Sequence, residues 1–515
     1  MAQYDTCFSR YEALRRDRDP FLRRARDCAE VTIPPLMPPE GHSSHALLPE
    51  PYQGLGARAV VSLASRLMVA MYPPSKPSFR LDVPPEIKMQ TGELSLNKDI
   101  EQGLILSEQL MQSEIERKEW RPVTNLVLQY LIVTGNALEM LMPDNTIRVF
   151  RLDQYVVSRD MQGNVRELIT EEFLAPESLP DEIKGMVTAE DYSGDRVQIL
   201  THSKREENGQ FYTYQEVNKK KVPGSDGYYE QLPYNALTWT NVISESYGRG
   251  KVEEHLPDFR GVDALSKSML DGAAMASRNV TMIRPNAAGG LNLRRRLASA
   301  DNGDIIVGNP EDVTMLQFQN HPGLQLTAAE LDRQSRELSF AFLLGAETVR
   351  NSERTTAYEV QKSQEHLEAS LGGVFSQLNQ TMQQTRLIRL ITQMRANGQL
   401  PDFPEGMVEP TILTGLEALG READVGRVQA ALGFLQGMPP DVLNYVKWTE
   451  LLGKAFYGLN LPDAVRSEQE MQQMQQQQAM MQAAQASVQA GGTELAQQAA
   501  SQAMQPQQPT TETQQ

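Results

Sequence analysis

His42 and His45 have the spacing of metal ligands, but no cysteine pair or further histidine lies nearby, so they read as polar loop residues. Gly453-Lys454 lacks the upstream glycine and the following Ser or Thr of a phosphate-binding loop, and Gly250-Lys251 fails in the same way. There is no His-Glu-x-x-His pair and no Gly-x-Ser-x-Gly elbow. The acidic pairs Glu171-Glu172 and Glu206-Glu207 adjoin turns or helix ends, where solvation is the default. No constellation for nucleophilic, acid–base or metal chemistry emerges, which argues against an enzyme and implies no cofactor and no metal.

The charges that remain are arginines. Between Gly272 and Ala300 stand Arg278, Arg284, Arg294, Arg295 and Arg296 and no acid, a local +5 in a chain whose formal net charge is −17. Two readings fit: ion pairs with acids of another segment or subunit, or contact with DNA phosphates or an acidic partner. In a symmetric ring each arginine would recur in every subunit and become a band of charge. A second polar stretch, Glu347 to Val360, carries Glu347, Arg350, Asn351, Ser352, Glu353 and Arg354 between two long helical patterns. It is neutral overall and reads either as an interhelical turn or as a loop that touches DNA without holding it. Thr356 and Glu359 have capping-box spacing, so a helix is predicted to start there.

At 515 residues, with 40% apolar, the chain is long enough for more than one domain. An acidic balance of this size opposes sequence-independent DNA binding and is compatible with a protein that merely lets DNA pass. Cys7 and Cys28 are too far apart for a metal or redox pair, which fits a reducing compartment. No signal pattern is seen, and the best candidate for a membrane-spanning helix, Val60 to Met71, is short and interrupted by Arg66. The expectation is a soluble protein made in the cytosol, with no membrane partner.

The elements that must position these residues alternate in character. Residues 2–30 read as an amphipathic helix, with Tyr4, Phe8, Tyr11 and Leu14 on one face and seven arginines and four acids between Arg10 and Asp27 on the other. That charged face is either solvated or docks onto another subunit or shell. Helices follow at 56–72, 98–119 and 122–135, the last ended by Gly135-Asn136. From Leu138 to about Thr240, β-rich runs alternate with polar residues, and Gly163-Asn164 and Asn208-Gly209 mark hairpins. The fold class is therefore α+β, mostly helical with an inserted antiparallel β region.

A helix is predicted over 257–283, ~37 Å long. Residues 284–325 read as irregular around short strands such as Ile305–Val307, and Thr327 with Glu330 as the capping box of a helix running to Leu344. The helix from Thr356 to Ala396 would be ~60 Å long, with Gly372-Gly373 as its kink site and Asn397-Gly398 as its end. Residues 421–465 read as a helical unit. Beyond Arg466 the chain turns to Gln, Met and Ala, helical to about residue 490 and disordered from 491 to 515.

Several blocks resemble the head-to-tail connectors, or portals, of short-tailed bacteriophages of the Autographiviridae type. They are Phe21-Leu-Arg-Arg-Ala-Arg-Asp-Cys-Ala-Glu-Val-Thr-Ile-Pro34, Gln53 to Met68, Thr134-Gly-Asn-Ala-Leu138, Tyr247-Gly-Arg-Gly250, Arg350 to Val360 and Leu371-Gly-Gly-Val-Phe-Ser376. They run in order from about residue 10 to about 380. The resemblance implies a ring, usually a dodecamer, around a central channel at one vertex of the capsid in the virion. It implies a wing (1–256 and 356–420), stem helices (257–283 and 326–344), a clip (284–325), a tunnel loop (345–355) and a crown (421–490). Arg350 to Arg354 would then line the channel, and Arg284 and Arg294–Arg296 would sit in the clip. The implied partners are further copies of the chain, the major capsid protein, a scaffold protein, internal core proteins, the terminase large subunit, a tail adaptor or tube protein, and double-stranded DNA in transit. The rivals are another phage structural protein, such as a scaffold or core component, and a packaging ATPase. The absent phosphate loop weighs against the ATPase, and the β-rich block against an extended helical scaffold.

Overall fold

The computed structural model describes residues 6–43, 45–73, 78–82, 98–179, 181–186, 192–193, 196–276, 280–284, 290–301, 305, 311, 313–316, 321–344, 373–401 and 409–412. The chain divides into two compact units, Met1–Gly415 and Leu416–Gln515. The second lies outside the described residues, and with it the expected crown and Gln-rich tail. So do Arg278 and the whole stretch 345–372, including Arg350, Asn351, Ser352, Glu353 and Arg354.

Helix α1 spans Cys7–Glu30 and starts at a capping box between Thr6 and Ser9. Tyr11 and Leu14 are buried and Phe8 is half-buried, as the periodicity predicts. Two details depart from it. Pro20 stands inside the helix, and Arg18, expected on the charged face, is buried. Its Nη1 donates to the carbonyls of Leu152, Asp153 and Tyr155 at 3.3, 2.9 and 2.9 Å, so the charge is sheltered by backbone acceptors.

The main core is built on α2 (Leu55–Met71), α3 (Lys98–Arg117) and α4 (Trp120–Thr134). In α2, Ala59, Val60, Leu63, Ala64 and Leu67 are fully buried at helical spacing, which is why this helix reads so clearly from sequence. Strand β1 (Phe79–Asp82) lies between α2 and α3. Helix α4 ends where Gly135 takes φ 74°, a left-handed cap.

The β-rich region forms two antiparallel sheets. One has the order β11 (Tyr234–Thr238), β2 (Asn136–Leu141), β3 (Ile147–Phe150). The other runs β10 (Gly227–Tyr229), β8 (Phe211–Val217), β7 (Arg196–Arg205), β5 (Val165–Leu174), β4 (Tyr155–Arg159), with β6 (Tyr192–Ser193) on β7 and β9 (Lys220–Lys221) on β8. The two expected hairpins form, with Gly163 and Gly209 at φ 88° and 87°. A third turn, between β8 and β9, uses Asn218 and Lys219 at φ 48° and 61°, a pair that lacks the glycine a sequence reader looks for. The short helix α5 (Asp181–Lys184) follows β5, and α6 (Lys251–Glu254) follows β11.

Beyond residue 250 the structure corrects several expectations. The helix predicted over 257–283 is α7, Leu256–Ala276, and its last predicted residues instead form strand β12, Val280–Ile283. The segment expected to be an irregular clip, 284–325, holds α8 (Gly290–Ala298) and β13 (Val313–Leu316), which pairs antiparallel with β12. β-branched Val280, Thr281 and Ile283 favour that pairing over a continued helix. No strand includes Ile305. Helix α9 starts at His321, not at a Thr327 cap, and ends at Ala341. Thr327 lies inside it, its hydroxyl donating to the Gly323 carbonyl at 2.9 Å.

After Gly373, at φ 86°, come α10 (Val374–Leu378), a π-helical turn (Asn379–Gln384) and α11 (Thr385–Ala396). A helix thus starts after Gly373, the expected kink site, while the earlier part of the predicted helix, 356–372, lies outside the described residues; the π turn was not legible. Asn397 and Gly398 (φ 65°) end α11 as predicted. Strand β14 (Glu409–Ile412) returns to pair with β1.

Candidate functional site

Helices α7 and α9 run antiparallel. Phe259 meets Phe342 with ring centroids 5.3 Å apart, Gly261 faces Gln334, and Gly272 faces Leu324. A Cβ at Gly272 would come within 2.5 Å of Leu324 Cδ2 and one at Gly261 within 2.9 Å of Gln334 Oε1. The two glycines therefore permit the close approach.

Among the described residues, the pair is anchored at one end. There Phe342 also stacks edge-on against His255, and Leu338, Phe342 and Leu343 are buried. Helix α9 closes with Leu344 N–H donating to the Ser339 carbonyl at 2.7 Å and Leu343 N–H to the Phe340 carbonyl at 3.1 Å, with Leu343 at φ 58°. This is a Schellman turn with leucine where glycine is usual. It sets the direction in which the chain leaves Leu344.

The base of α7 is held by the block around Tyr247 to Gly250. Arg249 reaches Glu245 and Glu253 (2.8 and 2.6 Å), and these hydrogen bonds hold its pKa above the ordinary guanidinium value. Gly248 N–H donates to Asn136 Oδ1 at 2.8 Å and its carbonyl accepts from Asn136 Nδ2 at 3.0 Å. The Tyr247 hydroxyl accepts the Val157 N–H at 3.0 Å.

Both helices also turn apolar side chains outward. Leu270, Met275, Leu326 and Phe340 are 57%, 59%, 73% and 81% exposed. Of α7 only Phe259, Val262 and Gly272 are buried. Along α9, Arg333 bridges Glu330 and Glu337, and its hydrogen bonds hold the Glu330 carboxyl down to about 2. Arg336 pairs with Asp332. The α9 charges shown are thus satisfied within the helix, while Leu326 and Phe340 are left uncovered.

Past α7 in the chain come β12, α8 and β13, of which β12 and β13 pair. Arg294, Arg295 and Arg296 are all exposed on α8, next to the buried Leu293, and Arg284 is exposed just after β12. Among the described residues none forms an ion pair with these four arginines, so pairing with an acid within this described part of the chain does not account for them. Arg295 and Arg296 lie in the last turn of α8, where cations complement the helix dipole. Exposed Met282 and Leu291 flank them. Such a surface can meet phosphates or carboxylates; it carries no nucleophile or acid–base pair. Among the described residues no group of three or more His, Cys, Asp or Glu could hold a metal ion, and no helix is long and apolar enough to cross a membrane.

Residues 4–466 match the profile of the family described as "Bacteriophage head to tail connecting protein". The chain belongs to this portal family of short-tailed bacteriophages. It is 33% identical over 520 residues to the portal protein of Escherichia phage T7, covering 97% of this chain and 94% of that one. It is 33% identical over 482 residues to the portal protein of Enterobacteria phage T3, covering 90% and 89%. A chain from the neck of an empty gene transfer agent particle superposes with a TM-score of 0.36 at 12% identity, covering 75% of this chain and 91% of that one, too loose to bear on the fold. A portal function follows, and with it a place at the head–tail connection of the virion. The residues that sequence reasoning missed are those that hold the site's base, Asn136 and Arg249. Asn136 and Arg249 lie within blocks that carry the resemblance, and nothing in the sequence said that those blocks touch.

Proposed function

We propose that the chain forms a ring of twelve copies at the unique capsid vertex and acts without catalysis. The ring nucleates head assembly, docks the terminase large subunit, conducts double-stranded DNA in packaging and ejection, and then holds the tail adaptor or tube. The observation that carries this is the family match across nearly the whole chain. In this reading α7 and α9 are the stem, and their uncovered Leu270, Met275, Leu326 and Phe340 pack against neighbouring copies. Residues 284–325 are the clip, where Arg284 and Arg294–Arg296 face DNA or a motor or tail protein. The stretch 345–355 is the tunnel loop, with Arg350, Asn351, Ser352, Glu353 and Arg354 on the channel wall. The sheets and the segment after Gly373 belong to the wing, and residues 421–490 to the crown. The shell, scaffold and internal core proteins meet the ring's outer and inner faces.

A mostly acidic lumen repels phosphate while a few basic rings centre the duplex, so DNA slides both ways without being held. Negative-stain class averages of the purified protein should show rings with a central hole and give the subunit count. Monomers or solid particles, with the capsid and scaffold proteins also supplied, would overturn the ring. Replacing Arg350 and Arg354 by Ala should impair packaging or genome retention; wild-type levels of both would remove the loop from the channel.

A further inference from the structure

We propose that the N-terminal half of α1, Cys7–Asp17, is a latch that opens as a unit about Pro20 while the rest of the fold stays closed. This rests on the chain's own packing and not on the ring.

Helix α1 is shared between two cores. Cys7, Tyr11 and Leu14 pack with Val156, Ile169 and Leu200 in a small cluster of their own. Leu22, Ala25, Cys28 and Ala29, on the other side of Pro20, belong to the main core. Pro20 has no N–H for the Arg16 carbonyl, and its ring crowds that carbonyl, so the helical ladder is weakest where the two cores part. Arg18, clamped to the carbonyls of Leu152 and Asp153 just before β4 and of Tyr155 at its start, is the fixed point next to the break.

The latch itself is held by side chains of the larger sheet. Glu216 of β8 accepts the Cys7 and Phe8 N–H groups, both at 2.9 Å, and so supplies the anion that the helix N-terminus favours. Glu167 of β5 accepts from Arg10 at 2.8 Å through Nε, and Glu171 accepts the Tyr11 hydroxyl at 2.7 Å. A small separate cluster held by a few polar contacts is the kind of unit that opens well below the free energy of global unfolding. Opening uncovers the sheet face around Val156, Ile169 and Leu200 and frees an amphipathic helix bearing Arg10, Arg15 and Arg16.

The two cysteines lie on opposite sides of the pivot, both free and buried, and burial pushes both thiols up, that of Cys28 to about 12. They are inert while covered and report opening separately. The full-length protein would be pulsed with iodoacetamide under native conditions and each cysteine followed by mass spectrometry, with rates normalised to the denatured chain. Cys7 is expected to label at least about ten-fold faster than Cys28. Glu216→Gln should speed Cys7 by roughly ten-fold through loss of the helix cap and leave Cys28 unchanged. Pro20→Ala, which restores the ladder, should slow Cys7. Equal labelling of the two cysteines in the unaltered protein overturns the latch, as does a Cys7 rate that neither substitution moves.

Discussion

Glu139 on β2 and Arg386 on α11, 247 residues apart, form a bidentate ion pair that is sealed from solvent, with Arg386 Nε 3.0 Å from Glu139 Oε1. Burial opposes the Arg386 charge, but Glu139 and Tyr72 beside it hold the pKa above the ordinary guanidinium value. Thr124 of α4 accepts from Arg386 Nη1 at 2.7 Å, and Asn235 of β11 donates to Glu139 at 3.0 Å. One contact therefore ties the segment after Gly373 to the smaller sheet and the main helical core.

Removing only one partner strands the other in the core. Arg386→Ala is expected to cost about 3–5 kcal/mol, whereas Glu139→Leu with Arg386→Leu should recover most of that loss. Guanidinium titrations of the single and double variants decide it. If the double variant is no more stable than the single one, this network is not what holds α11.

Glu167 gives a pH test. Burial raises its pKa, but hydrogen bonds from His202 (2.8 Å) and Arg10 outweigh burial and bring the carboxyl down to about 2, against 4.5 ordinarily. A carboxylate depressed by folding stabilises fully above its unfolded pKa, and that stability is lost as pH falls from about 4.5 toward 2. The span corresponds to roughly 3 kcal/mol. Acid-unfolding curves should show Glu167→Gln less stable than the unaltered protein at pH 7 and the gap closing across that window. A gap constant from pH 7 to pH 2 would assign the loss to packing instead.

Gly135 cannot be replaced cheaply. It sits at φ 74°, and a Cβ there would lie 2.5 Å from Arg249 C and Gly250 N, both backbone atoms with no room to yield. Strain of about 1–3 kcal/mol for the left-handed backbone adds to that clash. Gly135→Ala should lower the thermal midpoint sharply, and Gly163→Ala, at φ 88° with nothing within 4 Å, should lower it less. Equal shifts would mean that the contact with Gly250 is unimportant.

The α8 arginines separate function from folding. With no ion-pair partner among the described residues, Arg294, Arg295 and Arg296 should be replaceable together by Ala with about ±0.5 kcal/mol change in stability. DNA packaging or tail attachment should nonetheless fall. Full activity of the triple variant in an infectivity assay would show that this surface meets nothing essential.

The sequence by itself determined what depends on neighbours in the chain. Helix α2 repeats apolar residues every turn, hairpins appear at Gly163 and Gly209, and Gly135 and Gly398 stop their helices, because periodicity and left-handed backbone are local properties. It also determined the family, since blocks in a fixed order survive in a linear string. Only the tertiary structure decided which of those blocks meet. Thr134–Leu138 and Tyr247–Gly250 lock through Asn136 and Gly248, and Glu139 finds Arg386, because burial lets a charge or an amide choose partners hundreds of residues away. The same cause explains the misplaced ends. The β12–β13 pairing draws Val280–Ile283 out of a helix that their local pattern allowed, and Arg18 enters the interior because carbonyls of a distant turn await it there.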